Sequence, residues 1–262
     1  MTAPTPSLAG KIALVSGASR GLGQAVALSL AAAGAKLIAT ARTQGALEEL
    51  DDAVRAAGGE AVTLAPMDLT KPDGIDQLGL AIFERHGRLD ILVHAAAMLG
   101  GLRPLAHAPP PLWDRLLATN LTGSYRLIRS FDPLLRASDA GRAVFVTCEQ
   151  ATAPGPFWGA YAATKAGMEA MVRSWADEVD GSPARALLVD PGPMRTALRH
   201  QAFPGEDKAS LPDPAEPAAW IAALLSEERD PGQPQNVLRF GCAGDRPADG
   251  SAVNRALTKG QV

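Results

Sequence analysis

Short apolar runs alternate along the chain with longer stretches that mix apolar and polar residues. Short apolar runs bounded by glycine, proline or polar residues predict β-strands, and the longer stretches between them have the composition and spacing of helices. Strands are predicted at residues 12–15, 36–41, 61–67, 89–93, 143–147, 184–189 and 236–240. Helices are predicted at residues 24–33, 44–57, 72–87, 112–138, 161–179 and 216–226.

This alternation defines a fold class. Short strands followed by helices predict a parallel sheet covered by helices on both faces. Right-handed crossovers then give a doubly wound α/β fold of about seven parallel strands, with its ligand site at the carboxyl ends of the strands. The composition shows no linker, so we predict a single domain over residues 1–262, with a flexible start at 1–9 and a polar tail at 241–262.

Two segments and one proline interrupt the pattern. Residues 99–111 are rich in proline and histidine, and residues 191–217 are polar and rich in proline. Both are predicted to be long loops at the ligand-binding edge, where such loops are usually functional. Pro133 falls inside the helix predicted at 112–138 and is expected to kink or break it near its end.

Composition and charge narrow the classes of function. The chain has 262 residues, of which 47% are hydrophobic, and its formal net charge of −3 gives no basis for binding nucleic acid or an anionic membrane. Cys148 and Cys242 are far apart and the four histidines lack metal-ligand spacing, so we predict a reducing compartment and no metal site. The first residues lack a signal-peptide pattern and no apolar run reaches bilayer length, so we expect a soluble, cytoplasmic protein.

The first predicted strand runs directly into three glycines, Gly17, Gly21 and Gly23, and then into a helix. A strand, a glycine-rich turn and a helix present backbone N–H groups and a helix N-terminus to a phosphate. The spacing G-x-x-x-G-x-G differs from the common dinucleotide fingerprint G-x-G-x-x-G. Taken alone, the three glycines could also form a turn and nothing more.

The end of the second strand bears on the choice of cofactor. An acidic residue there would accept hydrogen bonds from a ribose 2′-OH, whereas an arginine accommodates a 2′-phosphate. Here the strand ends in Ala41-Arg42, and Arg20 lies in the glycine turn. Both arginines could be ordinary surface charges, but their positions favour NADP(H) over NAD(H). Asp68, after the third strand, is placed either to meet the adenine amino group or to cap the next helix.

Tyr161 and Lys165 form a second constellation. Residues four apart share one face of a helix, so the phenol and the ammonium can be neighbours. The lysine charge favours the phenolate and is expected to lower the tyrosine pKa towards a range suited to proton transfer. The spacing arises often by chance, but here it follows the fifth strand, at the edge to which the glycine loop also points.

Together these motifs resemble the short-chain dehydrogenase/reductase family over roughly residues 10–241. The resemblance is carried by residues 16–23, Asp68-Leu69, Asn120 in Thr-Asn-Leu-Thr-Gly, Tyr161 with Lys165, and Pro191-Gly192 leading to Thr196. Several ordered motifs at family spacing are far more specific than any one of them. Within the family, His94, Leu99-Gly100 and residues 158–161 are similar to a little-characterised bacterial oxidoreductase subgroup.

The resemblance implies a Rossmann-type fold that transfers a hydride between a nicotinamide cofactor and a small carbonyl or alcohol substrate. It implies that Tyr161 is the general acid and base, that Lys165 lowers its pKa and holds the nicotinamide ribose, and that Asn120 holds a water joining Lys165 to solvent. The long fourth and fifth helices commonly pair subunits in the family, which implies a homodimer or homotetramer. The cofactor-binding positions that it implies are Gly17, Ser19, Arg20, Gly21, Leu22, Gly23, Arg42, Asp68, Leu69, Ala95, Tyr161, Lys165, Pro191, Gly192 and Thr196.

Two departures from the family pattern leave the function open. His94-Ala95-Ala96-Ala97 replaces the usual Asn-Asn-Ala-Gly, which removes a polar anchor beside the cofactor. Cys148 stands where the family usually has a serine that hydrogen-bonds the substrate oxygen, and a thiol is a weaker donor. The leading hypothesis is an NADP(H)-dependent oxidoreductase that uses Tyr161, Lys165, Asn120 and Cys148. The alternative is a catalytically weak NADP(H)-binding sensor or scaffold protein on the same fold.

Overall fold

A computed structural model describes residues 7–226 and 237–241 of the chain. One sheet of seven parallel strands forms its centre, in the order β3-β2-β1-β4-β5-β6-β7. The strands are Ile12–Ser16 (β1), Lys36–Ala41 (β2), Thr63–Pro66 (β3), Ile91–His94 (β4), Arg142–Val146 (β5), Arg185–Asp190 (β6) and Val237–Arg239 (β7). The predicted doubly wound α/β fold is confirmed, while the expectations for residues 1–6 and for the tail from Cys242 onwards lie outside the described residues.

Helices cover both faces of the sheet. They are Gly21–Ala32 (α1), Gln44–Ala56 (α2), Pro72–His86 (α3), Pro110–Leu116 (α4), Gly123–Arg136 (α5), Gly159–Val179 (α6), Ala197–Ala202 (α7) and Ala215–Ser226 (α8). One core cluster joins α1, α2 and α8 to the first face, and a second joins α3, α5 and α6 to the other. Since each face buries its own apolar layer, the strands are apolar on both sides, as their sequence predicts.

The strand order reverses between β1 and β4. β1 lies between β2 and β4, so the crossover helices leave this point towards opposite edges of the sheet. In such a sheet the loops after the two central strands separate and leave a crevice at their carboxyl ends. Ser16, at the end of β1, is paired with Thr40 on one side and His94 on the other. The crevice therefore opens where the glycine-rich loop begins.

The observed helix differs in two ways from the one predicted at 112–138. It starts earlier, at Pro110, and contains a π-helical turn at Leu117–Thr122, a feature that often accompanies functional sites. It also passes through Pro133 and ends only at Arg136, so the proline does not end the helix where it occurs. Leu134 and Leu135 are buried in the core, and their burial offsets the hydrogen bond that the proline cannot make.

The two predicted long loops contain short helices. Residues 99–111 include a 3-10 turn at Leu105–His107, and residues 191–217 include α7 and a 3-10 turn at Lys208–Ser210. Three strands also end one residue later than predicted, β1 at Ser16, β4 at His94 and β6 at Asp190. Each of these three polar residues is therefore held by the sheet rather than by a loop.

His94 is buried at the end of β4 and joins β4 to β1. Its Nδ1 shares a hydrogen bond of 2.6 Å with Ser16 Oγ, and its ring packs edge-on against Phe145 at 5.4 Å. Within the described chain its Nε2 is buried without a hydrogen-bond partner. Burial, together with the positive charge of Lys165, lowers the pKa of His94 to about 3. The imidazole is therefore neutral in the folded protein.

Because the folded pKa of His94 lies below the ordinary value near 6.5, the unfolded chain binds more protons and the folded state loses stability as the pH falls below that value. We expect this residue alone to lower the free energy of unfolding by about 2 kcal/mol between pH 7 and pH 5. Urea unfolding at both pH values measures this change in the free energy of unfolding. In His94→Asn the difference between the two pH values should shrink by that amount, whereas His107→Asn, at an exposed position, should leave it unchanged. An equal pH dependence in native protein and His94→Asn would contradict the expectation.

Candidate active site

The loop between β1 and α1 packs directly against the loop after β4. Gly17 has a φ of +75°, and a Cβ there would lie 2.7 Å from the N and Cα of Ala96. The Gly17 N–H donates to the carbonyl of Thr40 at 2.9 Å, which ties the loop to the end of β2. A Cβ on Gly23 would overlap the carbonyl oxygen of Gly17. Both positions therefore require glycine, because any side chain would collide with backbone.

The N-terminus of α1 faces this edge of the sheet. Its first turn contains no acidic residue, and the N-cap residue Arg20 makes no side-chain capping bond. A Cβ on Gly21 would lie 3.2 Å from Cγ2 of Thr196, so the segment after β6 reaches the same helix end. A helix N-terminus that is not neutralised by its own acidic residues, beside backbone that side chains leave uncovered, fits the pyrophosphate of a dinucleotide.

Two arginines and one carboxylate lie beside the glycine loop. Arg20 and Arg42 are exposed, and the side chain of Arg20 makes no hydrogen bond or ion pair within the described residues. The backbone N–H of Thr70 donates to Asp68 at 2.9 Å and lowers the pKa of that carboxyl, with a further lowering by the charge of Arg42. Asp68 forms the turn before α3 but is not its N-cap, which is Lys71.

The other positions predicted to bind the cofactor fall into two groups. Ser19, Ala95, Pro191 and Gly192 lie in loops at the carboxyl ends of β1, β4 and β6, so the fold brings them to one edge. Leu22 and Leu69 are each 8% exposed and pack in the core. Their side chains are used in core packing, which leaves chiefly their backbone to meet a ligand.

Helix α6 places Tyr161 and Lys165 one turn apart at the same edge. Both are buried, with 6% and 4% of their surface exposed. Lys165 Nζ donates to the carbonyl of Val146, the last residue of β5, at 2.7 Å. The same Nζ lies 5.9 Å from the centroid of the Tyr161 ring. The structure thus brings the pair together, as the four-residue spacing predicts.

The electrostatics of Tyr161 differ from the expectation. Burial raises the pKa of Tyr161 well above its ordinary value, and Cys148 raises it further. Burial also lowers the pKa of Lys165. The prediction that Lys165 lowers the tyrosine pKa is wrong for this structure, because burial of the phenol disfavours the phenolate and sets the direction of the shift. Tyr161 is therefore a protonated phenol at neutral pH and is ready to donate.

Cys148 lies two residues beyond β5, packs in the same apolar cluster as Tyr161 and raises the pKa of that tyrosine. Burial raises the pKa of its thiol, so it is not a thiolate nucleophile at neutral pH. Its neighbours do not replace the missing serine hydroxyl. Thr147 Oγ1 donates to the buried carboxylate of Glu169 at 2.6 Å, and Glu149 is exposed.

The side chain of Asn120 makes hydrogen bonds to two neighbouring segments of the site. Its Oδ1 accepts from the N–H of Met98 at 2.8 Å, and its Nδ2 donates to the Met98 carbonyl at 2.9 Å and to Thr164 Oγ1 at 3.0 Å. These three bonds join the π-helical turn to the loop after β4 and to α6. Both N–H donors of the amide are used, so this side chain can meet the water that the resemblance assigns to Asn120 only by accepting from it at the second lone pair of Oδ1.

Asp190 is a site residue that the sequence analysis missed. It is 7% exposed, ends β6 and accepts from the N–H of Gly192 at 3.0 Å. Burial raises its pKa, and its charge acts on Tyr161, Lys165 and Cys148. The sequence does place an acidic residue at the end of a buried strand, which is a signal for a site residue. The predicted strand ends at Val189, however, and so assigns Asp190 to the following loop.

An apolar wall lies against Tyr161. The Trp158 ring lies 5.9 Å from that of Tyr161 and 5.8 Å from that of Phe203. The cluster around them is formed by Leu99, Leu102, Cys148, Leu198 and Ala202. The loop 99–103 and helix α7 supply most of these side chains, so the predicted long loops build the wall.

The fold and these residues define a nucleotide-binding oxidoreductase site, and comparison with known proteins gives the family. Residues 11–207 match the family model of the short chain dehydrogenases, and the chain belongs to that family. It is 33% identical over 220 residues to the uncharacterized oxidoreductase YciK of Escherichia coli K12, covering 83% of this chain and 87% of that protein. No group of three or more metal-ligating side chains occurs among the described residues, and none of their helices is long and apolar enough to span a membrane.

Solved structures give the same result. A short chain dehydrogenase from Shigella flexneri 2a in complex with NADP superposes with a TM-score of 0.83 at 30% identity, covering 90% of this chain and 97% of that one. A short chain dehydrogenase from Escherichia coli CFT073 in complex with NADPH has a TM-score of 0.83 at 31% identity, covering 86% and 95%. The Rossmann-type fold is thereby confirmed. The homodimer or homotetramer and the cytoplasmic location stay predictions.

Proposed function

We propose that this chain is an NADP(H)-dependent oxidoreductase that interconverts a small, largely apolar carbonyl compound and its alcohol. The observation that carries the proposal is the buried Tyr161–Lys165 pair, held at the same sheet edge as the glycine loop and the N-terminus of α1. The relatives bound to NADP and NADPH support the choice of cofactor.

The cofactor would be held by the loop from Gly17 to Gly23 at its pyrophosphate and by Arg20 and Arg42 at its 2′-phosphate. Lys165 keeps N–H donors beyond the one used by Val146, and these can bind the hydroxyls of the nicotinamide ribose. When bound, the nicotinamide supplies or accepts the hydride.

Tyr161 performs the proton transfer. In reduction its phenol donates a proton to the substrate oxygen while the carbonyl carbon gains a hydride, so the product is an alcohol. Its raised pKa keeps the phenol protonated at neutral pH, the form that donates a proton. The ammonium of Lys165 stabilises the phenolate left behind until solvent reprotonates it. The thiol of Cys148 donates a hydrogen bond to the substrate oxygen that is weaker than the one a serine hydroxyl would donate.

Replacing Tyr161 by Phe keeps the ring and removes the proton. We expect carbonyl reduction with NADPH to fall by roughly 10²–10⁴-fold in kcat. NADPH affinity should stay within a factor of about 2, because the backbone loop and Lys165 are untouched. Tyr125→Phe is the matched control, since that side chain is 51% exposed on α5. Near-native turnover in Tyr161→Phe would remove the phenol from the mechanism.

Arg42 tests the choice of cofactor. Removing its charge in Arg42→Ala should weaken NADPH binding by about tenfold to a hundredfold, the value of one charge-assisted contact, and leave NADH binding unchanged. Fluorescence titration with both cofactors measures it. The exposed Arg129 on α5 provides the control, Arg129→Ala. Tighter binding of NADH than of NADPH by the native protein would contradict the assignment.

A second candidate function follows from Cys148. The thiol occupies the position from which a hydroxyl steadies the substrate oxygen in the family, and this supports a cofactor-binding sensor or scaffold protein with little turnover. Both candidates share the cofactor site and differ only in catalysis.

Cys148→Ser separates them. The change is nearly isosteric and supplies a stronger donor, so the enzyme hypothesis expects faster reduction, by up to about a hundredfold, at unchanged NADPH affinity. The sensor hypothesis expects neither protein to oxidise NADPH with any of a panel of simple ketones and aldehydes. A slower serine variant would mean that the site is adapted to the thiol.

A further inference from the structure

The loop after β4 carries an arginine that follows the apolar wall in the chain. Leu99 and Leu102 pack in the cluster that contains Tyr161, and Arg103 follows directly. The backbone N–H of Arg103 donates to the carbonyl of Phe157 at 3.2 Å. Phe157 has a φ of 75°, a strained value for a residue other than glycine, and lies just before α6. Arg103 is thus attached to the segment that leads into the helix of Tyr161.

The backbone of Gly100 and Gly101 packs against the guanidinium of Arg103. Gly100 and Gly101 have φ values of +77° and +80°, which side chains rarely permit. Arg103 Nη2 donates to the carbonyl of Gly100 at 3.2 Å. A Cβ on Gly101 would lie 3.2 Å from the same Nη2. The guanidinium therefore occupies the space that the missing side chain leaves.

One buried N–H donor of this guanidinium, at Nε, has no acceptor among the described residues. Its Nε is shielded from solvent and has no hydrogen-bond partner in the described part of the chain, and the side chain forms no ion pair there. The long bond to Gly100 is the one hydrogen bond that its side chain makes among these residues. A shielded donor on a charged group costs free energy unless an acceptor is supplied, and a carboxylate matches the planar fork of an arginine best.

We propose that Arg103 is the anchor for a carboxylate on the substrate, so that the physiological substrate is an oxo acid or hydroxy acid with an apolar chain. This rests on the proposed function for the reacting carbonyl, which would meet Tyr161. The apolar wall of Leu99, Leu102 and Trp158 accommodates the chain, and Arg103 fixes the acid group. Arg103 is then a specificity-determining residue.

The test measures binding and turnover separately. Methyl-ketone acids of increasing chain length, from acetoacetate to 6-oxoheptanoate, are compared with their methyl esters in the presence of NADP⁺, by calorimetry. At the best chain length the native protein should bind the acid at least about tenfold more tightly than the ester. Arg103→Gln should remove this preference, Arg103→Lys should keep part of it, and Arg115→Gln, at an exposed arginine of α4, should leave it intact.

Equal binding of acid and ester by the native protein, or no measurable binding of any acid, overturns the proposal. So does an acid preference that survives in Arg103→Gln with an unchanged melting temperature. A phosphonate of equal length that binds more tightly than the acid overturns the assignment of a carboxylate. Reduction of the esters with NADPH is a separate readout: its absence would contradict the proposed function, whereas the binding comparison decides the role of Arg103 either way.

Discussion

The burial of the Lys165 ammonium constrains much of the site. A buried cation is costly unless hydrogen bonds and opposite charges compensate it. Here the carbonyl at the end of β5 accepts one of its protons at 2.7 Å, and the carboxylates of Glu169 and Asp190 supply negative charge from α6 and β6. The position of α6 against β5 and β6 is therefore tied to the compensation of one charge. Tyr161, one turn before the lysine, is positioned by the same contact.

The sheet edge is divided into a polar half and an apolar half. On the side of β1 and β2, the surroundings are backbone N–H groups, the N-terminus of α1 and two arginines, all suited to phosphates. On the side of α7 and the 99–103 loop, aromatic and aliphatic side chains surround Tyr161. The phenol of Tyr161 belongs to the apolar half. Under the proposed function, the cofactor would meet the polar half and the apolar chain of the substrate would meet the other.

Hydrogen bonding at the strand ends gives the edge its rigidity. Ser16 and His94 join β1 to β4, and Asn120 joins the π-helical turn to the loop after β4. The bond between Ser16 and His94 is fully buried, and the two bonds between Asn120 and Met98 are partly buried. Such networks are demanding, because every member must be satisfied. The Nε2 of His94, which has no hydrogen-bond partner among residues 7–226 and 237–241, is the exception among them.

The sequence by itself determined the fold class, the glycine loop and the Tyr161–Lys165 pair, because each depends on local periodicity or on spacing within one element. Hydrophobic runs encode strands, and a separation of four encodes a shared helix face. What only the tertiary structure decided depends on burial and on contacts between distant segments. It reversed the expected shift of the Tyr161 pKa, committed the amide of Asn120 to Met98, and brought Asp190 beside the phenol. It also placed Arg103 against the turn before α6. Desolvation and long-range hydrogen bonds are set by packing, which no local pattern records.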